Sequence, residues 1–470
     1  MRDLIFYFNL GILLYFLAIN GIYILLTVLS FAALRKYNQK TLILRKDKKL
    51  FHSSFYKPIS VLVPAYNEEK TIVDNVKSLM QIRYPEYEII VINDGSKDDT
   101  LEILKKNYHL RLSFRPVISN IQTQAVRAVY MSPEYKNLIV VDKENGGKAD
   151  ALNAGINVSR FPLVSTIDSD SILETDVMSK LVQPFMSDWT TIAVGGIVRV
   201  ANGCTIRAGE VVKISLPGSF IASFQIIEYL RSFLFGRVGW DVFNGLLIIS
   251  GAFGLFRKDV VIKCGGYRHD TVGEDMELVV RMHRIMREEK IPYRITFVPE
   301  PVCWTEVPES LKMLGRQRNR WQRGLIESLL SHRIMLFNPR YGVIGLFVMP
   351  FFFIFEMFGP IIEFLGYAVV LISFAAGFIN IRFAILFFVV AIVLGVVLSV
   401  GSLVLEELTF KKYPRYRHVA ALFIYSILEN FGYRQLNTWW RFKGIIDIFR
   451  GKKSWGAMER KGMKKTPDSN

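Results

Sequence analysis

Two long apolar stretches bracket a polar middle, and a purely soluble fold has no place to hide both. The first runs from Leu4 to Leu34 with almost no charge, and the second occupies most of the chain from Tyr341 to residue 440. A helix rises 1.5 Å per residue, so about 20 apolar residues cross a hydrocarbon layer of roughly 30 Å. The first stretch is long enough to do so. It is too long for a cleavable signal peptide, has no basic lead beyond Arg2, and lacks an A-x-A site at its end. The RKYNQKTLILRKDKKL segment that follows is densely basic. By the positive-inside rule it faces the cytoplasm, which puts the N-terminus outside.

Composition agrees with a membrane protein. Hydrophobic residues make up 51% of the 470-residue chain, and the formal net charge is +17. No basic stripe accompanies a nucleic-acid-binding motif, so nucleic acid is not an expected partner. Cationic loops beside membrane spans account for the sign. Cys204, Cys264 and Cys303 are far apart and form no C-x-x-C pair, so neither a zinc knuckle nor a disulfide framework is expected.

From Pro58 to about Leu336 the pattern changes to alternating strand and helix. ISVLVPAY, YEIIVIND, NLIVVDK and PLVSTIDSDS read as strands; EEKTIVDNVKSLMQI, GSKDDTLEILKKNY and GKADALNAGINVS read as helices between them. Continuous Val/Ile strands alternating with helices specify a mostly parallel sheet covered on both faces. Ligands of such sheets sit at the carboxyl ends of the strands. Asn67 and Glu68, Asp94, and Asp168 and Asp170 all fall there.

Each motif has a chemical and a bland reading. Asp168 and Asp170, spaced i and i+2 after the apolar LVSTI run, can converge on one divalent ion and leave diphosphate oxygens and water to complete its shell; a surface loop is the alternative. Asn145-Gly146-Gly147-Lys148 opens a helix, where glycines admit a close ligand and Lys148 supplies a point charge for phosphate; a flexible turn is the alternative. In Gly273-Glu274-Asp275 either acid can serve the helix dipole or act as a general base. Gly251-Ala252-Phe253-Gly254, read as following an LLIIS strand, offers close backbone and an aromatic face, or else a tight core turn. Gln317, Arg320 and Trp321 spell Q-x-x-R-W at the junction with the second apolar stretch. The guanidinium suits diphosphate and the indole suits a sugar ring, or both anchor an interfacial helix. No catalytic-serine context appears and the six histidines are scattered, which disfavours triad and zinc chemistry.

In the order VPAYNEE, INDGSKDDT, GGKADALN, DSDS, SGAFG, GED and QRNRW, the chain resembles the membrane-integrated family 2 glycosyltransferases of α/β GT-A fold. These include bacterial synthases of cellulose, hyaluronan, chitin-like oligomers and poly-N-acetylglucosamine. The resemblance covers about residues 58 to 325. It implies that Tyr66, Asn67, Glu68 and Asp94 hold the uridine of a UDP-sugar and that Lys148 contacts its diphosphate. It further implies that Asp168 and Asp170 bind nucleotide and Mg²⁺ or Mn²⁺, with Asp170 the more direct ligand. Asp275 is the implied base, with Glu274 beside it, and Gly251 and Phe253 lie toward the acceptor. Gln317, Arg320 and Trp321 close over diphosphate and acceptor. Two departures stand out. Gly273 replaces a more usual threonine, removing a hydroxyl near the base, and Asn93 replaces the first of two aspartates.

The implied organisation is an N-terminal transmembrane helix (1–36), a basic cytosolic linker (37–57), a GT-A domain with interfacial helices (58–336), a C-terminal membrane region (337–440) and a basic cytosolic tail (441–470). In the membrane region, 341 to 375 is broken by Pro350, Glu356, Pro360 and Glu363, 381 to 404 reads as a span, and 417 to 440 carries Glu429, Asn430, Arg434 and Gln435. Intramembrane carboxylates face a polar path or a partner. Glu356 and Glu363 therefore line a channel or mark a re-entrant turn. An external N-terminus and a cytosolic tail need an odd number of crossings, which favours a hairpin at 341 to 375. The expected activity is inverting, processive transfer to a β-linked polysaccharide secreted through a multi-pass cell-membrane protein, with accessory secretion subunits as further partners. The alternative is addition of a single sugar to a lipid acceptor. The sugar itself is not legible.

Overall fold

The computed structural model describes residues 2–46, 56–207, 209–377, 381–413 and 415–451. Most of the basic linker's second half and the tail beyond Gly451 therefore lie outside the described residues. The chain forms two compact units, one drawn from Ile43–Ser215 and Leu246–Val307, the other from Met1–Leu42, Leu216–Gly245 and Pro308–Ala457.

The first unit is built on strands β1 (Ile59–Ala65), β2 (Tyr87–Asp94), β3 (Arg111–Leu112), β4 (Val126–Met131), β5 (Leu138–Lys143), β6 (Leu163–Ile167), β7 (Ile172–Leu173) and β8 (Thr191–Val200). After a small β9 (Thr205–Arg207) and β10 (Glu210–Lys213) hairpin come β11 (Phe253–Arg257) and β12 (Arg294–Thr305). Ten of them form one mixed sheet in the order β3-β4-β5-β2-β1-β6-β11-β8-β12-β7. Its centre, β5-β2-β1-β6, is parallel throughout. Ile59, Val61, Leu62 and Val63 of β1 and Ile89 to Ile92 of β2 are wholly buried, as strands covered on both faces must be. Parallel neighbours need crossovers, supplied by helices such as Ile72–Met80 between β1 and β2 and Lys148–Val158 between β5 and β6. The four central strands therefore deliver their carboxyl ends, at Ala65, Asp94, Lys143 and Ile167, to one edge of the sheet.

The expected strand LLIIS is not one. Leu246 to Ser250 lacks ladder pairing, and the strand starts at Phe253. The physical reason lies in Ile249: its side chain sits within 3.3 Å of where a Cβ would be on Gly195 of β8 and overlies Gly254 of β11. The segment crosses the sheet's face at two glycines instead of joining its edge, so a buried apolar run here marks coverage and not pairing.

The second unit is helical and apolar. Among the described residues two helices are long and apolar enough to cross a membrane, Tyr7–Gln39 and Ile381–Thr409, and a bent pair, Ile344–Met357 with Gly359–Ala375, makes up to three. The bend between that pair is 44°, as in a broken span or a re-entrant loop. Pro360, without an amide proton to donate, stands in the first turn of the second helix and breaks the ladder there. The stretch 417 to 440 likewise divides, into Tyr416–Leu428 and Tyr433–Phe449, at Gly432 with φ +98°. Residues Leu216–Gly245 pack in this unit although they lie inside the sequence range read as α/β.

The carboxylates of the apolar stretches have partners within this unit. Glu356 accepts hydrogen bonds from the Tyr23 hydroxyl at 2.6 Å and the Arg441 guanidinium at 2.9 Å, and Glu363 accepts from Thr438 at 2.8 Å. Glu429, fully buried, binds Arg231 and the Ser399 hydroxyl.

Candidate active site

At the carboxyl edge of the sheet the loops after β1, β2, β5 and β6 are knitted together. Asn67 adopts φ +55°, and its side-chain oxygen accepts from the Lys97 amide at 2.8 Å while its own amide donates to Ser96. Glu68 accepts from Ser169 at 2.8 Å and from Thr71 at 2.6 Å, tying the end of β1 to the Asp168–Asp170 turn. Tyr66 is exposed. Of the four residues implied for the nucleoside, Tyr66 and Asn67 are exposed, whereas Glu68 and Asp94 are buried, and Asn67, Glu68 and Asp94 bind loops to one another.

Asp94 ends β2 and is 3% exposed. Its two oxygens receive Lys143 at 2.6 Å, the amides of Gly146 and Gly147 at 3.0 and 2.8 Å, and the Asn145 side chain at 3.2 Å. The two amides that lead into the helix Lys148–Val158 thus already hold a carboxylate.

One ammonium organises the open part of the site. Lys148, first residue of its helix, lies 2.5 Å from Asp168 and 3.6 Å from Glu274. Burial alone would lower its pKa; the Asp168 and Glu274 carboxylates outweigh that and raise it, so the group stays charged. Asp275 points at the same place, with one oxygen accepting from the Gly251 amide at 2.9 Å and the other from the Met276 amide at 2.8 Å. A Cβ on Gly251 would lie 3.2 Å from both the Asp275 carboxylate and the Lys148 ammonium. A side chain here would make both charged groups shift by a few tenths of an ångström, so Gly251 lies directly against the charged cluster.

Phe253 must be reassigned. It is completely buried in β11, paired with Ile167, and offers no aromatic face to an acceptor. Its ring belongs to the core because it alternates inward from Gly254. Thr271 repairs one departure from the family pattern: its hydroxyl accepts from the Gly273 amide at 3.1 Å, so a side-chain hydroxyl still braces the turn before Glu274. His283, on the helix Glu274–Glu288, is another residue that sequence reasoning passed over. Its Nε2 donates to the Leu246 carbonyl and its Nδ1 accepts from the Tyr293 hydroxyl, both at 2.8 Å. Burial holds its pKa down to about 4, leaving it neutral. It pins the helix bearing Glu274 and Asp275 to the segment leading to Gly251.

Asp168 and Asp170 are half-buried while Ser169 between them is buried. Among the described residues no three acids, histidines or cysteines converge as a closed metal cage. Two neighbouring carboxylates are what Mg²⁺ or Mn²⁺ needs when substrate oxygens complete its shell, so the donor set fits a divalent ion shared with a diphosphate.

Gln317, Arg320 and Trp321 belong to the helical unit, on the helix Leu311–Ser331. Trp321 is 44% exposed, and the Arg318 guanidinium lies 4.2 Å over its ring. The Gln317 side-chain oxygen is buried without a hydrogen-bond donor.

The model of Glycosyl transferase family 2 matches residues 60–264, and that of Glycosyl transferase family group 2 matches residues 163–398. Poly-β-1,6-N-acetyl-D-glucosamine synthase of Staphylococcus aureus (strain COL) is 31% identical over 273 residues, 58% of this chain and 55% of its own length. The protein of the same name from Staphylococcus epidermidis is 30% identical over 276 residues, again 58% and 55%. The chain thus spans about half the length of these relatives. A mannosyltransferase from Pyrobaculum calidifontis, solved with GDP-Man and Mn²⁺, matches at 18% identity with a TM-score of 0.48, covering 88% of this chain and 99% of its own.

Proposed function

Because the chain belongs to the family 2 glycosyltransferases, we propose that it transfers a sugar from a UDP-sugar to a β-linked polysaccharide, with inversion, and elongates the same chain through successive additions. The observation that carries this reading is the convergence of Lys148, Asp168, Glu274 and Asp275 at the carboxyl edge, with Asp275 oriented by the Gly251 amide. Asp275 takes the proton of the acceptor hydroxyl as its oxygen bonds to the anomeric carbon. The bond from that carbon to the diphosphate breaks, and UDP leaves with the electron pair. Lys148 binds the diphosphate and offsets its growing charge. Such a single displacement needs no enzyme nucleophile, only the base and the charge that offsets the leaving group.

Asp168 and Asp170 would hold the divalent ion. When bound, it supplies positive charge to the leaving diphosphate. Asp170→Ala is expected to abolish the Mn²⁺-dependent part of UDP binding. Unchanged UDP affinity with and without Mn²⁺ would remove Asp170 from this role.

The staphylococcal relatives are named for poly-β-1,6-N-acetyl-D-glucosamine, which makes UDP-N-acetylglucosamine the first donor to offer. Purified protein given radiolabelled UDP-N-acetylglucosamine, UDP-glucose and UDP-glucuronate separately should form polymer on a gel with one of them. A single glycolipid spot would replace elongation by one-step addition to lipid. The carboxyl edge is read as cytosolic and the helical unit as multi-pass in the cell membrane, in line with the two apolar helices.

A further inference from the structure

The Asn145–Lys148 loop stands on a buried charge cluster that the transfer chemistry does not use. Lys143, the last residue of β5, has no exposed surface, and its ammonium lies 2.6 Å from the carboxylates of both Asp94 and Asp150. It also donates to the Glu144 carbonyl. Asp94 passes the restraint on by accepting from Gly146 and Gly147, and Asp150, in the first turn of the helix Lys148–Val158, accepts from the Gln124 amide at 3.1 Å. The loop tolerates nothing larger than glycine there. A Cβ on Gly146 would meet the Asp150 carboxylate at 2.5 Å, and Gly147 has φ +86°.

Two buried carboxylates sharing one ammonium form an electrostatically strained set if the ammonium is removed, because like charges in low dielectric repel and neither can be rehydrated. Amides at the opening of a helix attract anions, and here Asp94 takes the two that lead into it, those of Gly146 and the N-cap Gly147. A donor phosphate cannot use those amides. The cation left for it is Lys148, whose direction follows from Gly147 and hence from the cluster beneath.

We propose that Lys143, held between Asp94 and Asp150, is a positioning residue that aims Lys148 at the terminal phosphate of the donor's diphosphate. The inference rests on the proposed contact of Lys148 with that diphosphate.

The test compares UDP with UMP, which lacks the terminal phosphate, binding to purified full-length protein with Mn²⁺. Wild type should prefer UDP, and Lys148→Met should erase that preference. Lys143→Met should weaken UDP binding about tenfold, the scale of one charge-assisted hydrogen bond, while UMP binding hardly changes. Lys143→Met with Asp150→Asn restores charge balance and should recover most of the lost UDP affinity. A Lys143→Met protein that keeps the full preference for UDP overturns the inference. So does equal loss of UDP and UMP binding, which marks Lys143 as a core element only, and so does a double variant no better than the single one. If wild type shows no preference, or Lys148→Met retains it, the diphosphate contact of Lys148 itself falls, and that result is separable from the others.

Discussion

The two units handle charge in opposite ways. In the helical unit three carboxylates each have at least two side-chain partners: Glu228 the Arg318 guanidinium and the Tyr433 hydroxyl, Glu429 Arg231 and Ser399, Glu356 Arg441 and Tyr23. At the carboxyl edge of the α/β unit one ammonium, Lys148, serves Asp168 and Glu274 with Asp275 close by, and Lys148 and Asp168 keep about a fifth to a third of their side-chain surface open. Surplus acid that water can reach is an arrangement awaiting a cation and an acceptor. Balanced acid within an apolar bundle holds helices in register. We read the same residue types as functional in one place and structural in the other, and openness to water separates the two.

The largest effect expected from this contrast is in the helical unit. Arg231→Met strands the fully buried Glu429 and should destabilise the protein by about 3 kcal/mol, the lower end for a broken buried pair because Arg231 is partly open. Adding Glu429→Leu should return most of that loss. Denaturation in detergent measures both, and a double variant as unstable as the single one would mean that Glu429 serves more than its pair.

At the open edge the matching experiment is Asp275→Asn, which preserves shape and removes proton affinity. Transfer should fall at least about a hundredfold while UDP still binds. Near-wild-type turnover would move the base to Glu274, the neighbouring carboxylate already 3.6 Å from Lys148.

His283 gives a smaller, pH-dependent effect. Its folded pKa is depressed to about 4 from an ordinary 6.5, so below pH 6.5 the unfolded chain binds a proton that the folded one refuses. Stability is therefore lost as pH falls, by about 2 kcal/mol between pH 6.5 and 5 and levelling off near pH 4. His283→Gln should flatten that part of the stability–pH curve. An unchanged slope would assign the acid sensitivity elsewhere.

The central parallel strands were legible because Val/Ile runs covered on both faces have no other soluble solution, and the acids followed at their ends. What stayed hidden depended on three-dimensional pairing. Lys143 reads as an ordinary polar strand end, since nothing local shows that Asp94 and Asp150 will converge on it. LLIIS has the composition of a strand, yet Gly195 and Gly254 let it cross the sheet's face. Phe253 looked available beside two glycines, although the alternation of β11 turns its ring into the core. Leu216–Gly245 carries no motif, and its place among the apolar helices is set by partners such as Ser399 and Glu429, far along the chain.

The smallest expected effect concerns Trp321, and it sharpens the comparison because the residue sits in the structural unit yet has been assigned work at the site. Half of its surface is open and one face already carries Arg318, so a sugar can stack only on what remains. Trp321→Ala should lower elongation about fivefold more than hydrolysis of the donor, the scale of one aromatic contact of about 1 kcal/mol, because water needs no stacked acceptor. Arg320→Ala should weaken both activities, since each releases UDP, and Arg320→Lys should rescue little once the planar fork is lost. An anchoring role predicts the opposite pattern, in which both substitutions reduce the yield of inserted protein and leave the ratio of elongation to hydrolysis unchanged. UDP release measured with and without polymer formation, on equal amounts of purified protein, separates the two. A constant ratio in Trp321→Ala returns the indole to the helical unit as a purely structural residue.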